Sequence, residues 1–135
     1  MIKKSIWVID DDRIYQTIIN KIIERSQLFS TVTSFKNGKE AIDNVYEILT
    51  NTSNDFEKIP DIILLDINMP VMDGWEFMDK ISLLKSNFIK NTSVYIVSSS
   101  IASEDKNKSK TYADILGYLS KPVTVNDLEL IAHKG

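Results

Sequence analysis

The sequence contains no cysteine, which excludes a disulfide framework and any thiolate metal centre. Its single histidine is His133, close to the last residue, so an imidazole zinc site is disfavoured as well. Long apolar runs are missing too. The amino-terminal run in MIKKSIWVID stops at Asp10, too short for a signal-peptide core, and nothing approaches the ~18 apolar residues of a membrane-spanning helix. Positive charge is not in excess: Lys and Arg number 16 against 19 Asp and Glu, for a net charge of -3. That balance, with a pI near 5.1, lacks the basic footprint of a nucleic-acid binder. Internal repeats and low-complexity segments are also absent. The expectation is a cytoplasmic protein with no membrane and no nucleic-acid partner.

A chain of 135 residues reads as one domain spanning 1–135, with no second domain expected after the last helix. At this size roughly two-thirds of the unfolded surface is buried on folding, enough for a real core. Apolar runs alternate with helix-like segments, which predicts an α/β fold with a parallel sheet. The predicted strands are Ser5 to Ile9, Thr31 to Phe35, Asp61 to Leu65, Ser93 to Val97 and Gly117 to Ser120. The first, third and fourth are almost continuously apolar, as strands covered on both faces are.

Between them, Ile14, Ile18 and Ile22 recur at helical spacing, with Ile19 and Ile23 widening the stripe. Asn37 with Glu40, Asp73 with Glu76, and Thr124 with Asp127 have the spacing of helix starts. Ser103, followed by Glu104 and Asp105, marks a polar fourth helix. Thr50 to Pro60 and Lys85 to Thr92 read as long surface loops at the amino ends of strands.

The chemistry-bearing residues share one topological position. Asp10 and Asp11 close SIWVI, Asp66 closes DIILL, Ser98 closes VYIV, and Lys121 follows GYLS. In open α/β sheets, ligands bind outside the carboxyl ends of the strands. Right-handed crossovers bring the ends of strands one, three, four and five together. Two carboxylates ~4 Å apart repel by about 4 kcal/mol at an effective dielectric near 20. Several acids at one edge therefore call for a cation, and Mg2+, which prefers oxygen ligands, fits. Taken alone, the acidic run is a solvated turn with Asp12 capping the first helix. Lys121 alone is a surface lysine, and Ser98 alone a small residue ending a strand. Asp66, ending a predicted central strand, and the joint pattern favour a site.

On VIDDD at 8–12, LLDINMPVMDGWEF at 64–77, VSSS at 97–100 and GYLSKP at 117–122, the whole chain resembles the receiver domain of two-component response regulators, of the stand-alone chemotaxis-regulator type. The resemblance implies a doubly wound (βα)5 flavodoxin-like fold with strand order 2-1-3-4-5. It implies that Asp66 is the phosphoacceptor for a phosphohistidine on a sensor histidine kinase. Asp11, Asp66 and the Asn68 carbonyl would ligate Mg2+, and Asp10 would hold it through water. Lys121 would pair with the phosphate and Ser98 would hydrogen-bond it. Ser98 and Tyr118, at the start of the fifth strand, would form a switch acting on the face of helix four, strand five and helix five. A cis Lys121–Pro122 peptide and a backbone role for Gly74 are also implied. Beyond taking phosphate and slowly losing it, no enzyme activity is expected. The phosphate would pass to a histidine phosphotransfer protein or switch a downstream target. Oligomeric state is left open. Ser99, Ser100 and Asn68 lie where family members differ.

Other readings remain beside it. A haloacid-dehalogenase-like phosphatase would want a second aspartate where Asn68 stands. A flavodoxin-like flavin binder would want a phosphate cradle where DDDR repels phosphate. A receiver serving as a phosphorylation-independent binding module would lack part of the site, yet each position is filled. A DNA-binding regulator would need an output domain, and Lys106, Lys108 and Lys110 read better as a solvated helix face.

Overall fold

The computed structural model describes residues 3–50, 58–84, 92–99 and 103–133. Strands and helices alternate along it: β1 (Lys4–Ile9), α1 (Arg13–Ser26), β2 (Phe29–Phe35), α2 (Gly38–Thr50), β3 (Ile62–Asp66), α3 (Gly74–Leu84), β4 (Ser93–Ser98), α4 (Ser103–Ser109), β5 (Ile115–Ser120) and α5 (Val125–His133). The strands form one parallel sheet, as the apolar runs predict, in the order β2-β1-β3-β4-β5 that the resemblance implies.

Strand pleating splits the core in two. Trp7, Ile9, Ile63, Leu65, Val94 and Ile96 face one side and pack on Ala41, Ile42 and Val45 of α2 and on Phe77, Met78 and Ile81 of α3. Ile6, Val8, Ile62, Leu64, Tyr95 and Val97 face the other, against Ile19 and Ile23 of α1 and Leu128 and Ile131 of α5. Alternate residues of one strand thus serve opposite layers, which is why the runs IWVI, IILL and VYIV inside β1, β3 and β4 are wholly apolar apart from the Tyr95 hydroxyl.

The helix starts follow the sequence. Asp12 caps α1, its carboxylate accepting from the N–H groups of Ile14 and Tyr15 at 3.0 and 3.1 Å. Asp73 and Glu76 form a reciprocal box, at 2.8 Å to the Glu76 N–H and 3.2 Å from the Asp73 N–H. Thr124 and Asp127 repeat it at 3.1 and 2.9 Å. Asn37 accepts from the Glu40 N–H at 2.9 Å, while Glu40 reaches back one residue further, to the Lys36 N–H at 3.0 Å. Each such cap satisfies orphan N–H groups and contributes about 1 kcal/mol.

Several boundaries and one helix face differ from expectation. β2 begins at Phe29 and β5 at Ile115, because Phe29 pairs with Lys4 and Ile115 with Val94. β3 runs one residue later, ending on Asp66. Tyr118 therefore sits inside β5 and does not start it. On α1, Ile14 is 75% and Ile18 50% exposed. The buried line runs through Ile19 and Ile23, with Tyr15 and Ile22 at its edge. Periodicity gave the spacing of that stripe, but packing against β1 and β3 sets its centre. Residues 51–57 and 85–91 of the two expected loops lie outside the described residues, as does Ser100. Pro60 and Thr92, which flank the loops, meet through a hydrogen bond from Thr92 Oγ1 to the Pro60 carbonyl at 2.7 Å.

Candidate functional site

The acids gather where the topology requires. Carboxylate oxygens of Asp10, Asp11 and Asp66 all lie within 4.8 Å of one another. Asp10 follows β1 and is 2% exposed, and Asp66 ends β3 and is 7% exposed, while Asp11 faces solvent. The Asp10 backbone is held by its N–H bond to the Phe35 carbonyl at 3.0 Å. One of its carboxylate oxygens accepts from the Asp12 N–H at 2.9 Å. The other pairs with Lys121 Nζ at 2.7 Å.

Electrostatics leave Asp66 unrelieved. Burial pushes its carboxyl up first, the Asp10 charge adds to that, and Lys121 and the Asn68 N–H only partly offset them; the result is a pKa raised to about 6. Lys121 is committed mainly to Asp10, so the cluster still needs positive charge. An all-oxygen set of three carboxylates suits a hard divalent cation and not zinc. On that chemistry the residues fit Mg2+.

Ser98 ends β4, is 4% exposed and pairs in register with Ser120. Its carbonyl accepts from the Lys121 N–H at 3.0 Å, which joins the two strand ends that carry the hydroxyl and the ammonium. The Lys121–Pro122 peptide is cis. Asn68 is exposed and its backbone N–H bonds the Asp66 carboxylate. Gly74 packs on the chain after β3: its N–H donates to the Ile67 carbonyl at 2.8 Å, and a Cβ there would lie 2.7 Å from the Asp66 carbonyl oxygen. Between them, Val71 takes a φ of 71° inside a tight turn closed by Met72 N–H to the Pro70 carbonyl at 2.8 Å. A β-branched residue there is strained. Tyr118 stands apart from the acids, 40% exposed, with Lys106 Nζ 5.0 Å above its ring.

Two residues at the site were not foreseen. Gln16 Nε2 contacts three carbonyls, of Val8 at 3.3 Å, Asp10 at 3.0 Å and Phe35 at 2.9 Å, and so pins the ends of β1 and β2 beneath the acidic turn. Tyr15 lies beneath Lys121, whose Nζ is 4.4 Å from the ring centroid. The signal for Gln16 was a polar residue on the helix face shared with Ile19 and Ile23. The larger concavity, of about 900 Å³, lies elsewhere, between β5 and α5 and lined by Leu116, Tyr118 and Leu130 among others. Of the three acids, Asp11 also lines a smaller hollow of about 390 Å³ together with Arg13, Lys36, Asn37 and Pro70.

Comparison with known proteins points the same way. Residues 6–133 match the family described as the response regulator receiver domain. The chemotaxis protein CheY of Halobacterium salinarum is 28% identical over 119 residues, covering 88% of this chain and 85% of that protein. The sensor histidine kinase CheAY of Helicobacter pylori is 32% identical over 117 residues, 87% of this chain but 13% of its own length, so the likeness there is to one part of a larger protein. The crystal structure of a two component response regulator from Cytophaga hutchinsonii superposes with a TM-score of 0.85 at 29% identity, covering 97% of this chain and 95% of that one. No helix among the described residues is long and apolar enough to cross a membrane.

Proposed function

This chain belongs to the response regulator receiver domain family, and from that premise we propose that it accepts a phosphoryl group on Asp66 from a phosphohistidine of a sensor histidine kinase. The observation that carries the proposal is the buried Asp66 carboxylate within 4.8 Å of the Asp10 and Asp11 carboxylates, beside a lysine already in contact with Asp10. An Asp66 oxygen attacks phosphorus, the phosphorus–nitrogen bond breaks, and the imidazole leaves with its electron pair. Asp11, Asp66 and the Asn68 carbonyl would hold Mg2+, with Asp10 reaching it through water. Held there, magnesium would supply divalent charge to offset that of the transferring group. Lys121 then turns from Asp10 to a phosphate oxygen, and Ser98 donates its hydroxyl to another.

The test is intact mass after incubation with acetyl phosphate, with and without magnesium. A gain of one phosphoryl group only in magnesium, mapped to the peptide containing Asp66, is expected. Label on any other residue would remove Asp66 from the role.

The phosphorylated form would either pass its phosphate to a histidine phosphotransfer protein or bind a downstream target. We place the switch at Ser98 and Tyr118. Movement of Ser98 toward the phosphate frees space for the Tyr118 ring to turn inward, away from Lys106, and new charge-assisted hydrogen bonds bias that choice. Nitration of Tyr118, read by peptide mapping, should fall when beryllofluoride occupies the phosphate position. Unchanged labelling would exclude an inward rotation.

A further inference from the structure

The contact between Tyr15 and Lys121 is used by nothing described so far. Tyr15 is the third residue of α1, and its backbone is fixed by the bond from its N–H to Asp12. Its ring packs at the edge of the core layer that contains Ile19 and Leu128. Its hydroxyl is buried and has no hydrogen-bond partner among the described residues, so the hydroxyl does not explain the placement. The ring face does: Lys121 Nζ lies 4.4 Å from its centroid while touching Asp10 at 2.7 Å. The charges of both Asp10 and Asp66 act on the phenol, which puts the ring at the wall of the acid cluster.

Lys121 needs such a wall. Its ammonium is a compact charge on a flexible four-carbon stem and is strongly drawn to water. In the metal-free protein Asp10 holds it. Once Asp10 serves a metal, that hold weakens just when the ammonium is needed at the phosphate. An aromatic face attracts a cation without competing for its N–H donors, and the attraction is largest where water is excluded. We propose that Tyr15 is a positioning residue for Lys121, its ring face keeping the ammonium inside the site while Asp10 is released to the metal. The inference rests on the phosphate-pairing role of Lys121 given above.

The test is a double-mutant cycle read by calorimetric titration of beryllofluoride in saturating magnesium, a mimic of the bound phosphoryl group. Tyr15→Leu should weaken beryllofluoride binding about tenfold, with magnesium affinity unchanged. Tyr15→Phe, which keeps the ring, should match the parent. Pentafluorophenylalanine at position 15 keeps the ring's shape but reverses the charge of its face, so it should behave like leucine; it also serves if Tyr15→Leu fails to fold. In a Lys121→Ala background, removing the ring should have no further effect, because interacting residues are not additive.

An equal loss from Tyr15→Leu with and without Lys121 would overturn the proposal, and so would parent-like binding by the fluorinated variant. If Lys121→Ala alone binds beryllofluoride like the parent, the phosphate-pairing role of Lys121 fails instead, and this inference with it. If Lys121→Ala loses binding and the ring variants do not, only the role of Tyr15 falls.

Discussion

Asp66→Asn is expected to abolish magnesium-dependent phosphoryl uptake and, at the same time, to make the metal-free protein more stable. The loss follows because an amide oxygen is a poor nucleophile and its carbon cannot form the acyl phosphate. The gain follows from burial. Asp66 is 7% exposed, and its pKa is raised from 3.8 to about 6, by desolvation first and then by the Asp10 charge. Between those values the folded protein keeps a proton that the unfolded chain has released. Stability therefore falls as pH rises through that window and stays lower above it. The shift corresponds to roughly 3 kcal/mol at pH 8, and the neutral amide escapes it. Urea unfolding at pH 5 and pH 8 should show the parent losing stability across the interval while Asp66→Asn changes much less, with the variant ahead at pH 8 by roughly 2–3 kcal/mol. Magnesium should restore much of the deficit to the parent. A variant no more stable than the parent at pH 8 would mean that Asp66 is not the strained carboxylate described.

Gly74→Ala should be the most damaging glycine-to-alanine change among the described residues. The added carbon would lie 2.7 Å from the Asp66 carbonyl oxygen and 2.9 Å from the Ile67 Cα. Both neighbours are backbone, so no side-chain rotation relieves the contact. Asp66 ends β3, paired in register with Val97 of β4, and Ile67 follows it directly. Alanine is the better helix former by about 1 kcal/mol, but overpacking typically costs about 1–3 kcal/mol, and a clash with rigid backbone lies at or above the top of that range. The clash wins. A fall in melting temperature of roughly 10 °C is expected for a domain of this size. Folded variant should also take up phosphate more slowly, because relief of the clash displaces the end of β3 that carries Asp66. Unfolding within 1 kcal/mol of the parent would show that α3 slides freely on β3.

Much of this was legible in the residues. The runs IWVI, IILL and VYIV could only be buried on both faces, and each stops at a polar residue, so the sheet and its functional edge came together. Short-range hydrogen-bond chemistry was equally readable: Asp73 with Glu76 and Thr124 with Asp127 bond as their spacing requires. What escaped depends on tertiary placement. Five isoleucines at helical spacing do not say whether Ile14 or Ile19 points inward; the sheet decides it by meeting the line of Ile19 and Ile23. Gln16 bonds the ends of two strands, and Tyr15 meets a lysine more than a hundred positions away. Neither contact has a local signature. The starts of β2 and β5 were missed because Phe29 and Ile115 pair with residues of neighbouring strands, whereas the sequence offers only the polar turns beside them.

The two indoles give the protein a built-in optical division of labour. Trp7 is locked in β1 with its ring edge-on to Phe35 at 4.7 Å, so its emission reports the integrity of the sheet. Trp75, immediately after Gly74, stacks on Tyr112 at 5.8 Å and lies beneath Lys108 at 5.2 Å. It therefore couples the start of α3 to α4 and the turn that follows it. Its brightness and colour should therefore respond to displacement of that ammonium or that phenol, which a titration of emission with beryllofluoride would show. The light from one chain should then carry a constant and a variable component, the variable one looking at the flank between Asp66 and α4.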